Sequence, residues 1–127
     1  MNNKEILQTA NECIVKEDYE GFLDYCTEDI EWIFVGDRTL KGKNEVREYM
    51  HEVYFEPPVF NTEILIEEGD FVSVMGEISL KNQSGTYDHF SYCDNWRFEN
   101  GKMAVLKAYV IKTESLPQNN EKEGRKL

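Results

Sequence analysis

The sequence predicts an α+β fold in which a curved, cone-shaped antiparallel sheet wraps around three N-terminal helices. Apolar residues recur at helical spacing in three segments of residues 1–54. From residue 59 to residue 113 the chain instead alternates polar and apolar residues in long segments separated by short turns. Consecutive antiparallel strands need a layer that covers one face, and the three helices are the available cover.

The three helices are expected at residues 3–16, 18–26 and 44–54. In each of them the apolar residues lie on one side, as in a helix that packs against a core. The third helix is ended by Pro57 and Pro58, because proline cannot continue a helix and restricts the residue before it.

A first strand is expected at residues 30–35, which are rich in aromatic and β-branched residues. The strands of the main sheet are expected at residues 59–67, 71–80, 86–98 and 103–113. The last two strands are joined at Asn100 and Gly101, a dipeptide that is the strongest short signal for a hairpin. Residues 1–114 are therefore expected to form a single domain, followed by a disordered tail at residues 115–127.

Charge and composition exclude several classes of partner. The net charge is −11, and such a surface repels phosphate backbones and anionic membranes, so neither nucleic acid nor membrane is expected to bind. The three cysteines show no metal-like spacing, and no metal or cofactor is expected. Reduced thiols and the lack of a secretory signal favour a cytoplasmic protein.

Asp94 is the residue most in need of explanation. It lies in the middle of an otherwise aromatic strand, and a carboxylate on an apolar strand face is costly unless it is paired, hydrogen-bonded or neutral. Desolvation would raise its pKa, so that it could donate a hydrogen bond to a ligand oxygen or act as a general acid. Alternatively, Asp94 caps a buried network with a tyrosine hydroxyl or a backbone amide.

The chain resembles the nuclear-transport-factor-2-like (NTF2-like) superfamily, in particular its ketosteroid isomerase and polyketide cyclase-like (SnoaL-like) branch. The matching residues are 18–22 (DYEGF), 42–49 (GKNEVREY) and 94–98 (DNWRF), with Gly101 and Lys102. The resemblance covers about residues 6–113. It implies the cystatin-like cone and a homodimer that forms through the outer face of the sheet.

The resemblance also implies where catalytic groups would lie. Ketosteroid isomerases use an aspartate base together with a tyrosine and a protonated aspartate that hold an oxyanion. The protonated aspartate falls on Asp94, the base on Ile33 and the tyrosine near Thr9, and the acid of the polyketide cyclases falls near Ala108. Of these positions, Asp94 alone carries an acid.

A ligand pocket is expected on the face of the sheet that carries Asp94, because alternate residues of a strand share one face. Its expected residues are Ile33, Tyr49, Met75, Glu77, Tyr92, Trp96, Leu106 and Ala108. Glu77 either lies near Asp94 and shares a proton with it, or faces solvent. The opposite face, with Val72, Val74, Ile78, Leu80, Val105 and Tyr109, is expected to be the dimer interface.

Two function classes follow from these residues. The first is a small isomerase, cyclase or dehydratase that acts on an apolar carbonyl compound, with Asp94 as acid or hydrogen-bond donor. The second is a non-catalytic, dimeric ligand-binding or protein-interaction domain that has kept the cone and lost the catalytic base.

Overall fold

Three helices and a six-stranded sheet make up residues 1–113, which are the residues described by the computed structural model of the protein. The helices are α1 (Asn3–Val15), α2 (Tyr19–Asp24) and α3 (Gly42–Val53). The strands are β1 (Cys26–Phe34), β2 (Arg38–Lys41), β3 (Val59–Glu68), β4 (Phe71–Lys81), β5 (Tyr87–Glu99) and β6 (Lys102–Thr113). The α+β class is confirmed, while the predicted tail at 115–127 lies outside the described residues.

The strands are ordered β2-β1-β6-β5-β4-β3 in one curved open sheet. All neighbours are antiparallel except β1 and β6, which run parallel, so the sheet is mixed rather than purely antiparallel. β1 begins at Cys26, earlier than expected, and the short strand β2 was not predicted. The turn at Asn100 and Gly101 joins β5 to β6 as predicted, with φ of 49° and 77° at these two residues.

Two of the segments that carry the family resemblance build helix N-termini. The Asp18 side chain accepts a hydrogen bond of 2.9 Å from the backbone N–H of Gly21 and so caps α2. A Cβ at Gly21 would lie 2.3 Å from a carboxylate oxygen of Asp18, so a side chain there would displace the capping carboxylate. Gly42 opens α3 with φ of 85°, and the Glu45 side chain accepts a hydrogen bond of 2.7 Å from the N–H of Lys41.

The helices lie on the inner face of the sheet and close one end of it. The largest fully buried side chains at this end are Leu7, Phe22, Leu23, Ile30, Met50, Phe98 and Met103. They come from all three helices and from β1, β5 and β6, so this end is a packed core. Toward the other end, the inner face opens into a cavity. No helix within residues 1–113 has the length and apolar character needed to cross a membrane.

Candidate functional site

The cavity has a volume of about 330 Å³ and lies between the inner face of the sheet and the helices. It falls at the lower end of the range of about 300–1,000 Å³ that small-molecule sites occupy. The inner-face lining residues are Trp32, Phe34, Phe60, Val74, Ile78, Leu80, Phe90, Tyr92, Asp94, Trp96, Leu106, Ala108, Val110 and Lys112. The helices and loops contribute Asn11, Ile14, Phe22, Val35, Asp37, Tyr49 and Tyr54.

β5 sets the depth of the site. Its lining residues alternate along the strand in the order Trp96, Asp94, Tyr92 and Phe90. Trp96 adjoins the packed core, since the next inward-facing residue, Phe98, is buried and does not line the cavity. Strand residues that share a face are about 7 Å apart. Asp94 therefore lies one step above the floor of the cavity, and Tyr92 and Phe90 lie progressively nearer its mouth.

Asp94 is surrounded by apolar neighbours in the sheet. Its partners in the register are Val74 on β4 and Ala108 on β6, and Ala108 is in turn paired with Phe34 of β1. Its remaining exposed surface faces the cavity that it lines. Burial raises the pKa of this carboxyl from 3.8 to about 7, and desolvation is the sole cause of the shift. Near neutral pH, the group is poised between a hydrogen-bond donor and an acceptor.

The charge of Asp94 affects the pKa of three tyrosines of the cavity. Burial is the largest cause of the raised pKa of Tyr49, Tyr54 and Tyr92, and an ionised Asp94 raises each further. The hydroxyl of Tyr92 lies 3.4 Å from the hydroxyl of Thr62. With their pKa values raised, the three phenols stay protonated at neutral pH and remain hydrogen-bond donors.

Trp32 lies at the centre of the aromatic wall of the cavity. Its ring makes edge-on contacts with Phe22, Phe34, Tyr49 and Trp96 at centroid distances of 5.8, 6.1, 6.0 and 6.3 Å. Trp32 is only 3% exposed, and its indole N–H has no hydrogen-bond partner among residues 1–113. A ring fixed by four aromatic neighbours is a rigid wall rather than an adaptable one.

Six residues named from the sequence line the cavity together: Tyr49, Tyr92, Asp94, Trp96, Leu106 and Ala108. The face of β5 was read correctly because its aromatic residues and Asp94 alternate without interruption.

Three other expected pocket residues, Ile33, Met75 and Glu77, were placed wrongly. They lie on the outer face of the sheet, because the neighbours that point inward are Trp32 and Phe34 on β1, and Val74 and Ile78 on β4. Glu77 is exposed and pairs with Ser91, so it does not share a proton with Asp94.

The apolar stripe of β4 was also assigned to the wrong face. Val72 and Val74 are 0% and 4% exposed, and Ile78 and Leu80 line the cavity, so none of the four belongs to an outer surface. Thr9, which falls near the tyrosine of the isomerases, does not line the cavity, and its hydroxyl donates a hydrogen bond of 2.8 Å to the carbonyl of Glu5.

Trp32, Tyr54 and Asp37 also line the cavity, although the sequence patterns did not predict them. Trp32 could have been found from its alternation with Phe34 in the first strand, whereas Tyr54 follows the last turn of α3 and carries no periodic signal. Asp37 lies in the turn between β1 and β2, where an acid is usually just a turn residue. Its charge contributes to the raised pKa of Tyr49, as that of Asp94 does.

Within residues 1–113, no group of three or more metal-binding side chains lies close enough to hold a metal ion. The polar groups of the cavity include one deep carboxyl, three phenols, the amide of Asn11, and the ionic side chains of the exposed residues Asp37 and Lys112. This set can hydrogen-bond an oxygen of an otherwise apolar ligand and can hold or move a proton.

Comparison with known proteins places the chain among relatives of the same fold. The family model for the SnoaL-like domain matches residues 7–106. No curated protein matches the sequence.

Three solved structures illustrate the similarity. An NTF2-like protein from Burkholderia pseudomallei is 21% identical, with a TM-score of 0.76 over 86% of this chain and 91% of that one. SalBIII, an epoxide hydrolase/cyclase-like enzyme of pyran ring formation in salinomycin, is 18% identical, with a TM-score of 0.76 over 85% and 89%. TerC, co-crystallised with polyporic acid, is 20% identical, with a TM-score of 0.72 over 95% of each chain. At these identities the similarity shows the NTF2-like fold alone.

Proposed function

The chain belongs to the SnoaL-like domain family, and on that premise we propose that it binds a small apolar carbonyl compound with Asp94 as hydrogen-bond donor. The placement of Asp94 carries the proposal. Its carboxyl lies one step above the floor of an aromatic cavity, and burial raises its pKa to about 7. A protonated carboxyl donates to a carbonyl oxygen, and the ligand then supplies a partner for a group that is otherwise desolvated.

The same hydrogen bond would favour chemistry at the ligand. Donation to a carbonyl oxygen stabilises the negative charge that develops when a proton leaves the adjacent carbon, as in isomerase, cyclase or dehydratase reactions. Such a reaction also needs a base. Among the described residues that line the cavity, Asp37 is the one other carboxylate, and it is exposed whereas Asp94 is half-buried. Asp37 is therefore our candidate base.

Binding is tested by measuring the affinity for 1-indanone, a bicyclic ketone, from pH 5 to pH 9. The wild-type affinity should be constant at low pH and fall about tenfold for each pH unit above 7, because an ionised carboxyl cannot donate. In Asp94→Asn the affinity should not change with pH, since the amide remains a donor. A wild-type affinity that is equal at pH 5 and pH 9 would exclude Asp94 as the donor.

Catalysis is tested separately by following the exchange of the α-protons of 1-indanone in D₂O by NMR. The wild type should accelerate exchange, and Asp37→Asn should lose this acceleration while it keeps the affinity for the ketone. If the wild type binds the ketone but exchanges nothing, the non-catalytic alternative is the correct one for this class of ligand.

We also propose a homodimer through the outer sheet face, on a set of residues that shares only Tyr109 with the interface first expected. An apolar row crosses that face from β3 to β6. It consists of residues that are successive partners in the register: Ile64, Met75, Cys93 and Tyr109. Ile64 and Tyr109 are 45% and 44% exposed in the single chain. Sedimentation should give a dimer for the wild type and a monomer for Tyr109→Glu; a monomeric wild type at high micromolar concentration would contradict the proposal.

The remaining proposals concern location and other partners. Cys13, Cys26 and Cys93 are all free thiols, which suits a reducing compartment such as the cytoplasm. The net charge of −11 opposes binding to nucleic acid. Cell fractionation, and a filter-binding assay at low salt, would test the two statements directly.

A further inference from the structure

We propose that the ligand is a compact ketone of one or two rings, and that Trp32 and Trp96 determine this size limit. The inference rests on the proposed function and adds the substrate class of the same site. It is carried by the position of the two indoles, by the rigidity of their surroundings and by the volume that they leave.

The two tryptophans form the floor of the cavity. Trp32 on β1 and Trp96 on β5 both pair with Leu106 of β6, which lies between them in the sheet. Their ring centroids are 6.3 Å apart and the rings are nearly perpendicular, at 83°. Beyond this pair the inner face is occupied by Phe98, which is 2% exposed and does not line the cavity. A ligand that enters from the mouth therefore stops at the two indoles.

The floor cannot easily move aside. The two indoles are 3% and 4% exposed, and Trp32 is held on its other sides by Phe22, Phe34 and Tyr49. To rotate either ring would require these neighbours to repack, which close-packed interiors resist. The depth available to a ligand is therefore fixed by the fold rather than by the ligand.

The volume above the floor suits a small ring system. A volume of about 330 Å³ lies at the lower end of the range of about 300–1,000 Å³ that small-molecule sites occupy. A bicyclic ketone has roughly half as many non-hydrogen atoms as a four-ring skeleton, and it is the better match to a site at this end of the range. Because Asp94 is one step above the floor, the carbonyl oxygen of a compact ketone can reach it while the rings fill the space toward Tyr92 and Phe90.

The experiment compares three ketones of increasing size by calorimetry: 1-indanone, 9-fluorenone and a four-ring 3-oxosteroid. The wild type should bind 1-indanone at least about tenfold more tightly than fluorenone, and should not bind the steroid measurably. Trp96→Leu, which lowers the floor, should shift the affinity ratio about tenfold toward fluorenone. Phe71→Leu is the matched control, because it makes the same kind of aromatic-to-leucine change at a residue that is 56% exposed and does not line the cavity, and it should leave the ratio unchanged.

The affinity ratio is insensitive to a loss of folded protein, since both ligands meet the same folded fraction. Should Trp96→Leu fail to fold, Trp32→Phe and Trp96→Phe test the same floor with smaller changes. Equal binding of 1-indanone and the steroid by the wild type would overturn the size limit and leave the proposed function intact. Failure of all three ketones to bind would overturn the proposed function and the size limit together.

Discussion

The stability of Asp94→Asn relative to the wild type should grow as the pH rises. The pKa of Asp94 is about 7 in the folded protein against 3.8 in the reference state, so the folded state holds the proton more tightly. The favourable contribution of the protonated carboxyl is complete below pH 3.8 and is lost as the pH rises from 3.8 to 7. Asparagine does not titrate, and its variant has no such loss.

The magnitude follows from the two pKa values. A shift from 3.8 to about 7 corresponds to about 4 kcal/mol of stability between the acid and alkaline limits, at 1.36 kcal/mol for each unit. This is an upper limit, because water in the cavity solvates part of the carboxylate. Between pH 5 and pH 8, where thermal unfolding is easily measured, the linkage relation leaves a change of about 2.5 kcal/mol. For a chain of this length, that is a change of about 10 °C in Tm.

The assay is thermal unfolding of the wild type and Asp94→Asn at half-unit steps from pH 5 to pH 8. The difference in Tm should widen steadily with pH, whatever constant offset the substitution introduces. Glu77→Gln is the matched control, since it removes one carboxylate from the exposed outer face, and its Tm should follow the wild type in parallel. Parallel curves for Asp94→Asn as well would refute a raised pKa at Asp94 and remove the basis of its role as donor.

Three further substitutions test the packing around the site, each by urea denaturation. Val74→Ala should cost about 2 kcal/mol because the side chain is buried against the cavity wall, whereas Glu77→Ala on the outer face should cost less than half as much; equal costs would contradict the facing of β4. Gly76→Ala should cost about 3 kcal/mol, since its Cβ would lie 2.4 Å from the carbonyl oxygen of Asn61, and a neutral result would contradict the close approach of β3. Gly101→Ala should cost about 1 kcal/mol because φ is 77° there, and no loss would argue against this turn geometry.

The parts of the structure that the sequence predicted have strong local signals. The hairpin between β5 and β6 follows from Asn100 and Gly101, whose backbone can adopt the positive φ that a tight turn requires. The inward face of β5 follows from an unbroken alternation that carries Asp94 and Trp96 on one side. In such segments the neighbouring residues along the chain determine the structure, and one sequence contains all the information needed.

The facing of β4 could not be obtained in the same way. Its apolar residues alternate as clearly as those of β5, but alternation shows only that one face is apolar, not which layer covers it. The register of β4 against β5 pairs Val74 with Asp94 and so determines which way Val74 faces. This register is a long-range property that the sequence of β4 alone does not contain, and for that reason the sequence predicted Val74 at a dimer interface. The short strand β2 and the parallel pairing of β1 with β6 also depend on long-range contacts. The same is true of the position of Asp37 at the cavity.

The energetic cost of Asp94 argues for a ligand rather than a structural role. A carboxyl that only stabilised the core would be expected to accept hydrogen bonds from a tyrosine hydroxyl or a backbone amide, and these bonds would lower its pKa. Among the described residues, desolvation is instead the sole influence that shifts the pKa of Asp94, although Tyr49, Tyr54 and Tyr92 are near enough to feel its charge. An apolar residue between Val74 and Ala108 would avoid this cost. The cost of burying this carboxyl therefore supports the proposal that a ligand oxygen enters the cavity and pairs with Asp94.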